Sequence, residues 1–208
     1  MSASGRGGEP AACVRLARPG DAEAVQAIYA PIVRHTTVSF EWEPPTPAEL
    51  AARIERVLLQ HPWLVLEQEG RVLGYAYATR ARERAAYQWS AEVSVYVHPA
   101  VRRAGVGRAL YGALLELLRL QGYCVAYAVV PLPNPGSVAL HEALGFRRAA
   151  FLPAAGYKLG AWVDVGWWRL ELRRPPAEPR SPTPLPALLG SPHLEAVLQR
   201  GLEGLRLP

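Results

Sequence analysis

Val93-Ser94-Val95-Tyr96-Val97-His98-Pro99 leads through Ala100-Val101 into Arg102-Arg103-Ala104-Gly105-Val106-Gly107-Arg108-Ala109-Leu110. The first segment is rich in β-branched and aromatic residues and reads as a strand. The second is a basic, glycine-containing turn. Beyond it Leu110, Leu114, Leu117 and Leu118 recur at helical spacing in a helix of about Gly107 to Gln121, which Gly122 ends. A strand feeding such a turn and then a helix suits a pyrophosphate. Backbone N–H groups at a helix start point at the ligand, and the helix dipole favours negative charge there. Gly105 and Gly107 permit close backbone approach and positive φ, and Arg102, Arg103 and Arg108 add neutralising charge. The alternative is an ordinary strand-to-helix turn that uses glycine for tightness. The run is neither the dinucleotide fingerprint nor a P-loop, because Gly-Lys-Ser/Thr is missing.

On either side the chain alternates between the two periodicities. Residues 13–17 read as a strand. Pro19-Gly20-Asp21 opens a helix that carries Ala24, Val25, Ile28 and Tyr29 on one face. Residues 35–45 form a Pro-containing loop with Thr37, Phe40 and Trp42. Thr46-Pro47-Ala48-Glu49 has the pattern of a capping box with proline in the first turn. Strands are expected over Trp63–Gln68, Arg71–Thr79, Trp89–Val97, Tyr123–Val130, Phe146–Leu152 and Val163–Leu172, with a short helix over Pro135–Leu144. The nearly all-apolar run 123–130 implies a strand covered on both faces.

The chain has 208 residues, half of them apolar and a fifth charged, with a formal charge of +5. That composition fits one globular domain. No apolar run is long enough for a membrane helix, and Met1–Pro10 has no signal-peptide core, so a cytoplasmic location is expected. No block of like charge suggests a nucleic-acid arm. Lys158 is the only lysine; the other basic residues are arginines, which suit a pocket for an anionic ligand or simply a mixed surface. Cys13 and Cys124 lack metal or disulfide spacing and read as buried small hydrophobes; no metal is expected. Residues 1–12 read as a flexible N-terminus, 13–174 as the domain and 175–190 as a Pro-rich linker. Residues 191–208 read as an amphipathic tail helix using Leu194, Val197, Leu198, Leu202 and Leu205.

A second motif is Asn134-Pro135-Gly136-Ser137-Val138-Ala139-Leu140-His141-Glu142-Ala143-Leu144-Gly145-Phe146. Asn134 suits an N-cap and Pro135 the first helical position. Asn134, Ser137 and His141 then share one helix face, as if a ligand lay along it; capping alone also accounts for Asn134, and a satisfied histidine for His141. Glu92 interrupts an apolar strand, where a carboxylate is costly without a partner or a task.

Together with Thr37 and Phe40, Pro62–Val65, Gly74–Tyr77, Ala86–Trp89, Ala91-Glu92, Leu132-Pro133-Asn134, Ala155–Lys158, Asp164-Val165-Gly166 and Trp168, these motifs resemble the GCN5-related N-acetyltransferases. More narrowly, they resemble the phosphinothricin and methionine sulfoximine acetyltransferases. The resemblance covers roughly residues 13–172. It implies an α/β domain: a strongly bent mixed sheet of six or seven strands, flanked by about four helices, with a splayed central strand pair. Acetyl-CoA would enter between the strands ending at Val97 and Val130. Val95, Tyr96 and Val97 would pair with its pantetheine amides, Arg102, Arg103, Ala104, Gly105, Val106, Gly107 and Arg108 would hold the pyrophosphate, and Asn134 and Ser137 would flank the arm. Glu92 would act as base, and His141 as acid or with Glu92. Phe40, Tyr77, Arg82, Arg84 and Tyr87 would bind a small amino-acid-like amine; for Arg82 and Arg84, solvated loop charge is the competing reading. A homodimer is also implied. The same fold serves protein N-terminal and polyamine acetylation, or an inactive acyl-CoA-binding module.

Overall fold

A computed structural model describes residues 12–202 and 205–207. The expected flexible stretch lies, apart from Ala12, outside the described residues. Seven strands form one mixed sheet: β1 (Ala12–Leu16), β2 (Trp63–Gln68), β3 (Arg71–Arg80), β4 (Ser90–Val97), β5 (Val125–Leu132), β6 (Arg147–Lys158) and β7 (Ala161–Glu171), in the order β1-β2-β3-β4-β5-β7-β6. Every neighbouring pair is antiparallel except β4 with β5. The helices are α1 (Ala22–His35), α2 (Pro47–Leu58), α3 (Val106–Gln121), α4 (Pro135–Ala143) and α5 (Pro192–Arg200).

The sheet has a core on each face. On one side Val25, Ile28 and Val33 of α1 and Leu50 and Ile54 of α2 pack on Trp63, Val65 and Tyr75. On the other, Leu110, Leu114, Leu117 and Leu118 of α3 pack on Leu64, Leu66, Ala76, Ala91 and Ala126. The alternation of β2 and β3 between these two cores follows from the period of two along a strand. The start of α2 is the expected box: Glu49 N–H donates to Thr46 Oγ1 (3.2 Å) and Thr46 N–H to Glu49 Oε2 (2.7 Å).

Some expectations are corrected. Cys13 is exposed, because inward-facing Val14 sets the alternation of β1; Cys124 is buried, and both are free. β6 continues past Leu152 to Lys158, and a register shift accommodates Pro153 and Ala154, the latter at φ 48°. Proline lies there at a sheet edge, where its missing N–H is tolerated.

The β6–β7 hairpin holds the loop between α1 and α2. Lys158 Nζ is buried and donates to the carbonyls of Val33 (2.7 Å) and Ser39 (2.6 Å). A Cβ on Gly156 would meet the Phe40 ring at 2.3 Å, so only glycine lets that ring lie where it does.

The chain beyond Leu172 is also laid against the domain, unlike a free spacer. Thr183 N–H donates to Gln121 O (2.7 Å), Leu185 N–H to Gln60 O (3.2 Å) and Trp89 Nε1 to Arg180 O (2.8 Å). Leu185, Leu194 and Val197 are buried. Ser191 caps α5, accepting from Leu194 N–H at 3.3 Å.

Candidate active site

The sheet opens at the one parallel pair among the described residues. β4 and β5 are in register at Ser90–Val125, Ala91–Ala126 and Glu92–Tyr127, and there the ladder stops. β4 continues to Val97 on β3, and β5 to Leu132 on β7. The edges of 93–97 and 128–132 that face each other therefore carry backbone groups without a ladder partner. Buried backbone polar groups are nearly always paired, so these edges suit an extended ligand with amides of its own. Val93, Ser94, Val95, Tyr96, Ala128, Val129, Val130 and Pro131 line the resulting cleft of about 50 Å³, closed off by Val38, Tyr111, Asn134, Ser137 and His141.

At the outer end of β4 the turn leads into α3. Gly105 is its N-cap at φ 89°, and Arg103 is also left-handed at φ 66°. Gly107 has no such φ and lies in the first helical turn. Its missing side chain makes room for Leu140 of α4, whose Cδ2 would be 3.2 Å from an added Cβ. The positive φ expected of Gly107 thus belongs to Arg103 instead. Arg102, Ala104 and Val106 share this turn with them, and Arg108 Nη2 reaches the Ala143 carbonyl at 3.5 Å.

Glu92 lies at the point of divergence, facing the α1/α2 side with Thr79, its partner in register. Burial raises its carboxyl pKa above the usual range, against the pull of Arg82. Tyr77 stands on the same face, stacked on Trp63 with ring centroids 4.3 Å apart. The Arg82 guanidinium sits 4.6 Å over the Trp167 ring, and Trp167 meets Tyr127 edge-on. Arg84 and Tyr87 lie on an exposed turn over 84–88, and Arg84 makes no ion pair among the described residues. Phe40 is 38% exposed on its loop.

His141 lies on the α3 side of the opening and is 3% exposed. Its Nδ1–H donates to the Ser137 carbonyl (2.7 Å), so Nε2 accepts from the Tyr111 hydroxyl (3.1 Å). Burial lowers the imidazole pKa, against the Ser137 hydrogen bond, and raises the Tyr111 hydroxyl pKa well above its usual range. Both groups are therefore uncharged near neutrality, and the pair supplies hydrogen bonds rather than net charge. Asn134 caps α4, its Oδ1 accepting from Ser137 N–H at 3.2 Å. No hydrogen bond joins Glu92 to His141 among the described residues.

Tyr111, which lines the cleft, and Trp167, which lies under the Arg82 guanidinium, are two neighbours of the candidate site that sequence reasoning did not find. Tyr111 falls inside the apolar repeat of α3, where a tyrosine looks like core. Trp167 comes near the candidate site only because β7 places it under Arg82 and beside Tyr127. Among the described residues there is no group of three or more metal-ligating side chains, and no helix long and apolar enough to cross a membrane.

A diverging parallel pair, a glycine-capped basic helix start and a half-buried carboxylate at the fork are features that would suit an extended, phosphate-bearing ligand beside a proton acceptor. The acetyltransferase (GNAT) domain family matches residues 14–167. The chain belongs to this family. It is similar to a phosphinothricin N-acetyltransferase of Streptomyces viridochromogenes, 44% identical over 172 residues that span 83% of this chain and 93% of that one. An L-methionine sulfoximine/L-methionine sulfone acetyltransferase of Salmonella typhimurium is 36% identical over 160 residues, 76% of this chain and 94% of that one. Among solved structures, a GNAT superfamily phosphinothricin acetyltransferase of Sinorhizobium meliloti in complex with acetyl-CoA has a TM-score of 0.76. It is 33% identical, over 81% of this chain and 95% of that one. This GNAT enzyme is thus an acetyltransferase, and its neighbours include enzymes named for small amino-acid-like acceptors.

Proposed function

We propose that this enzyme transfers the acetyl group of acetyl-CoA to the α-amino group of a small amino-acid-like molecule in the cytoplasm. The observation that carries the reading is the fork itself: Glu92 faces one side of it and the Tyr111–His141 pair lines the other. The unpaired edges of 93–97 and 128–132 suit the pantetheine amides as an added strand, with Val95, Tyr96 and Val97 on one flank and Asn134 and Ser137 on the other. The turn 102–108 suits the pyrophosphate. An acetyl group at the inner end would then sit between Glu92 and Tyr111.

An amine attacks a thioester only as the free base. Glu92 takes a proton from the amine nitrogen, directly or through one water, and its raised pKa improves its match to an ammonium donor. The nitrogen adds to the acetyl carbonyl, forming the C–N bond. The Tyr111 hydroxyl, which gives its one hydrogen to His141 Nε2 in the resting site, would turn that hydrogen from the imidazole to the charge that develops on the thioester. The nitrogen, now bonded to the acetyl carbon, gives up its second proton as the C–S bond breaks and CoA leaves as a thiolate. Of the two protons the amine has lost, one goes to the thiolate and the other from Glu92 to water; because an ordinary thiol titrates at about 8.5, the protonated form is favoured near neutrality. His141 in this reading is a neutral orienting group. On the acceptor side Phe40, Tyr77, Arg82, Arg84 and Tyr87 surround the amine, and Arg82 suits an acceptor carboxylate.

The acceptor is tested by following thiol release over a panel of amino acid analogues. Pro131 lines the cleft and has no N–H to offer a head group. A strongly anionic phosphinate loses more by that than a sulfone or sulfoximine. The expected result is a higher kcat/KM for methionine sulfone and sulfoximine than for phosphinothricin, and a narrower gap in Pro131→Gly. Faster turnover of phosphinothricin by the wild type overturns this preference, and no turnover on any amino acid analogue overturns the acceptor class.

We propose further that the enzyme is a homodimer. The exposed edge strand β6 and its hairpin present Phe151, Leu152, Tyr157 and Trp162, an apolar edge of the kind that proteins normally cover. Sedimentation at micromolar concentration should give twice the chain mass; a monomer there refutes it.

A further inference from the structure

The segment after Leu172 lies beyond the family match, which ends at residue 167, yet it returns to the proposed cofactor site. It crosses the domain by way of Gln121, whose Nε2 donates to the carbonyls of Gln60 (2.6 Å) and Thr183 (2.9 Å). α5 then packs on α3 and β1, so that a Cβ on Gly201 would lie 3.3 Å from Ala113 Cβ and from Val14 Cγ2. Leu198, Leu202, Leu205 and Leu207 continue the contact. The segment ends on the pyrophosphate turn itself, where Arg206 N–H donates to the Ala104 carbonyl at 2.9 Å.

Between α3, the end of α4 and α5 this leaves a groove of about 440 Å³. Arg108 of the pyrophosphate turn lies in it, and Arg200 of α5 is part of the opposite wall. The lining also includes Glu116, whose carboxylate is shared between Arg119 (3.7 Å) and Arg200 (3.8 Å). Two guanidinium groups therefore face the groove against one carboxylate that is already engaged. On the floor, Gly112 sits in mid-helix, where glycine is unfavourable by up to ~1 kcal/mol relative to alanine. Nothing lies within 4 Å of an added Cβ there, so packing does not require the glycine; a flat group lying on the helix would.

We infer that the C-terminal extension is part of the cofactor site: α5 walls the groove that takes the 3′-phosphoadenosine end of acetyl-CoA, with Arg200 on the 3′-phosphate, and the Arg206 contact braces the pyrophosphate turn. The inference rests on acetyl-CoA being the donor. The pyrophosphate turn and the groove share Arg108, so a ligand bound by its diphosphate has its nucleoside end at the mouth of the groove. Guanidinium groups are well matched to phosphate.

The test is calorimetric titration of the full chain with CoA and with 3′-dephospho-CoA. Wild type should bind CoA about tenfold more tightly, the equivalent of about 1.4 kcal/mol. Arg200→Gln should remove most of that ratio by weakening CoA alone. A chain ending at Leu202, which lacks the Arg206 contact but keeps α5, should bind both ligands several-fold more weakly with the ratio intact. An unchanged ratio in Arg200→Gln, or equal loss for both ligands, overturns the phosphate contact. Unchanged affinities in the shortened chain overturn the brace. Failure of the wild type to bind either ligand overturns the acetyl-CoA reading instead.

Discussion

Glu92→Gln should lower kcat by roughly 10²–10⁴-fold, the range for loss of a positioned general base, while acetyl-CoA affinity stays within about twofold of wild type. The glutamine keeps the shape and polarity of the side chain at the fork but cannot accept the amine's proton. The pH profile separates this from a structural effect. In the wild type the carboxylate form is the active one, and burial has raised its pKa. Activity should therefore fall as pH drops through that raised value, and it should rise with pH on the alkaline side as more acceptor amine is free base. In Glu92→Gln the acid limb should vanish, leaving only the rise set by the amine. Tyr111→Phe gives the contrast: a lower kcat with the acid limb retained, because the hydroxyl contributes a hydrogen bond and not a titration. Wild-type rates in a folded Glu92→Gln enzyme would remove this residue from the chemistry.

Placing glutamate at both Gly105 and Gly107 should abolish acetyl-CoA binding, a loss of at least ~100-fold or about 2.7 kcal/mol. Two carboxylates would then occupy a helix start whose N–H groups and dipole are the proposed attraction for the pyrophosphate. The two positions differ in what else they disturb. At Gly105, φ 89° puts an L side chain in the left-handed region at roughly 1–2 kcal/mol. At Gly107, Leu140 must yield a few tenths of an ångström. Arg102→Glu, which meets neither constraint, serves as the control for folding and should also weaken binding. Circular dichroism of a wild-type fold together with unchanged affinity in both variants would relocate the cofactor.

The legible parts of this molecule are those written locally. Thr46 and Glu49 specify the start of α2 within one turn of chain. The β4–α3 junction is likewise contiguous, and its glycines, arginines and following leucines say what it is. What escapes the sequence is set by neighbours far along the chain. The strand through Ala154 and Gly156 is held by pairing with β7, against the preferences of its own residues. The tyrosine at 111 satisfies the helical repeat of a core residue, and only the approach of α4 gives its hydroxyl a partner. Asp, Glu and His stand out in an apolar context, so Glu92 and His141 could be picked out, whereas Trp167 could not. The extension misleads for a related reason. Its prolines suggest a spacer, but Leu185, Leu194 and Val197 are buried in contacts that exist only once α3 and β1 are in place.

The buried Lys158 has a consequence for how this enzyme lives with its own substrate. An acyl thioester held at cellular concentrations reacts slowly with any exposed ε-amine. Here the sole lysine of the chain is shut away with two of its three ammonium hydrogens donated to the carbonyls of Val33 and Ser39. Arginine, which keeps its charge and is a poor nucleophile at any physiological pH, does all the surface work that lysine usually shares. A protein that handles activated acetyl groups thus offers them no side-chain amine to stray onto. Amine-directed labels and resins should find no reactive side chain to grip on the folded molecule.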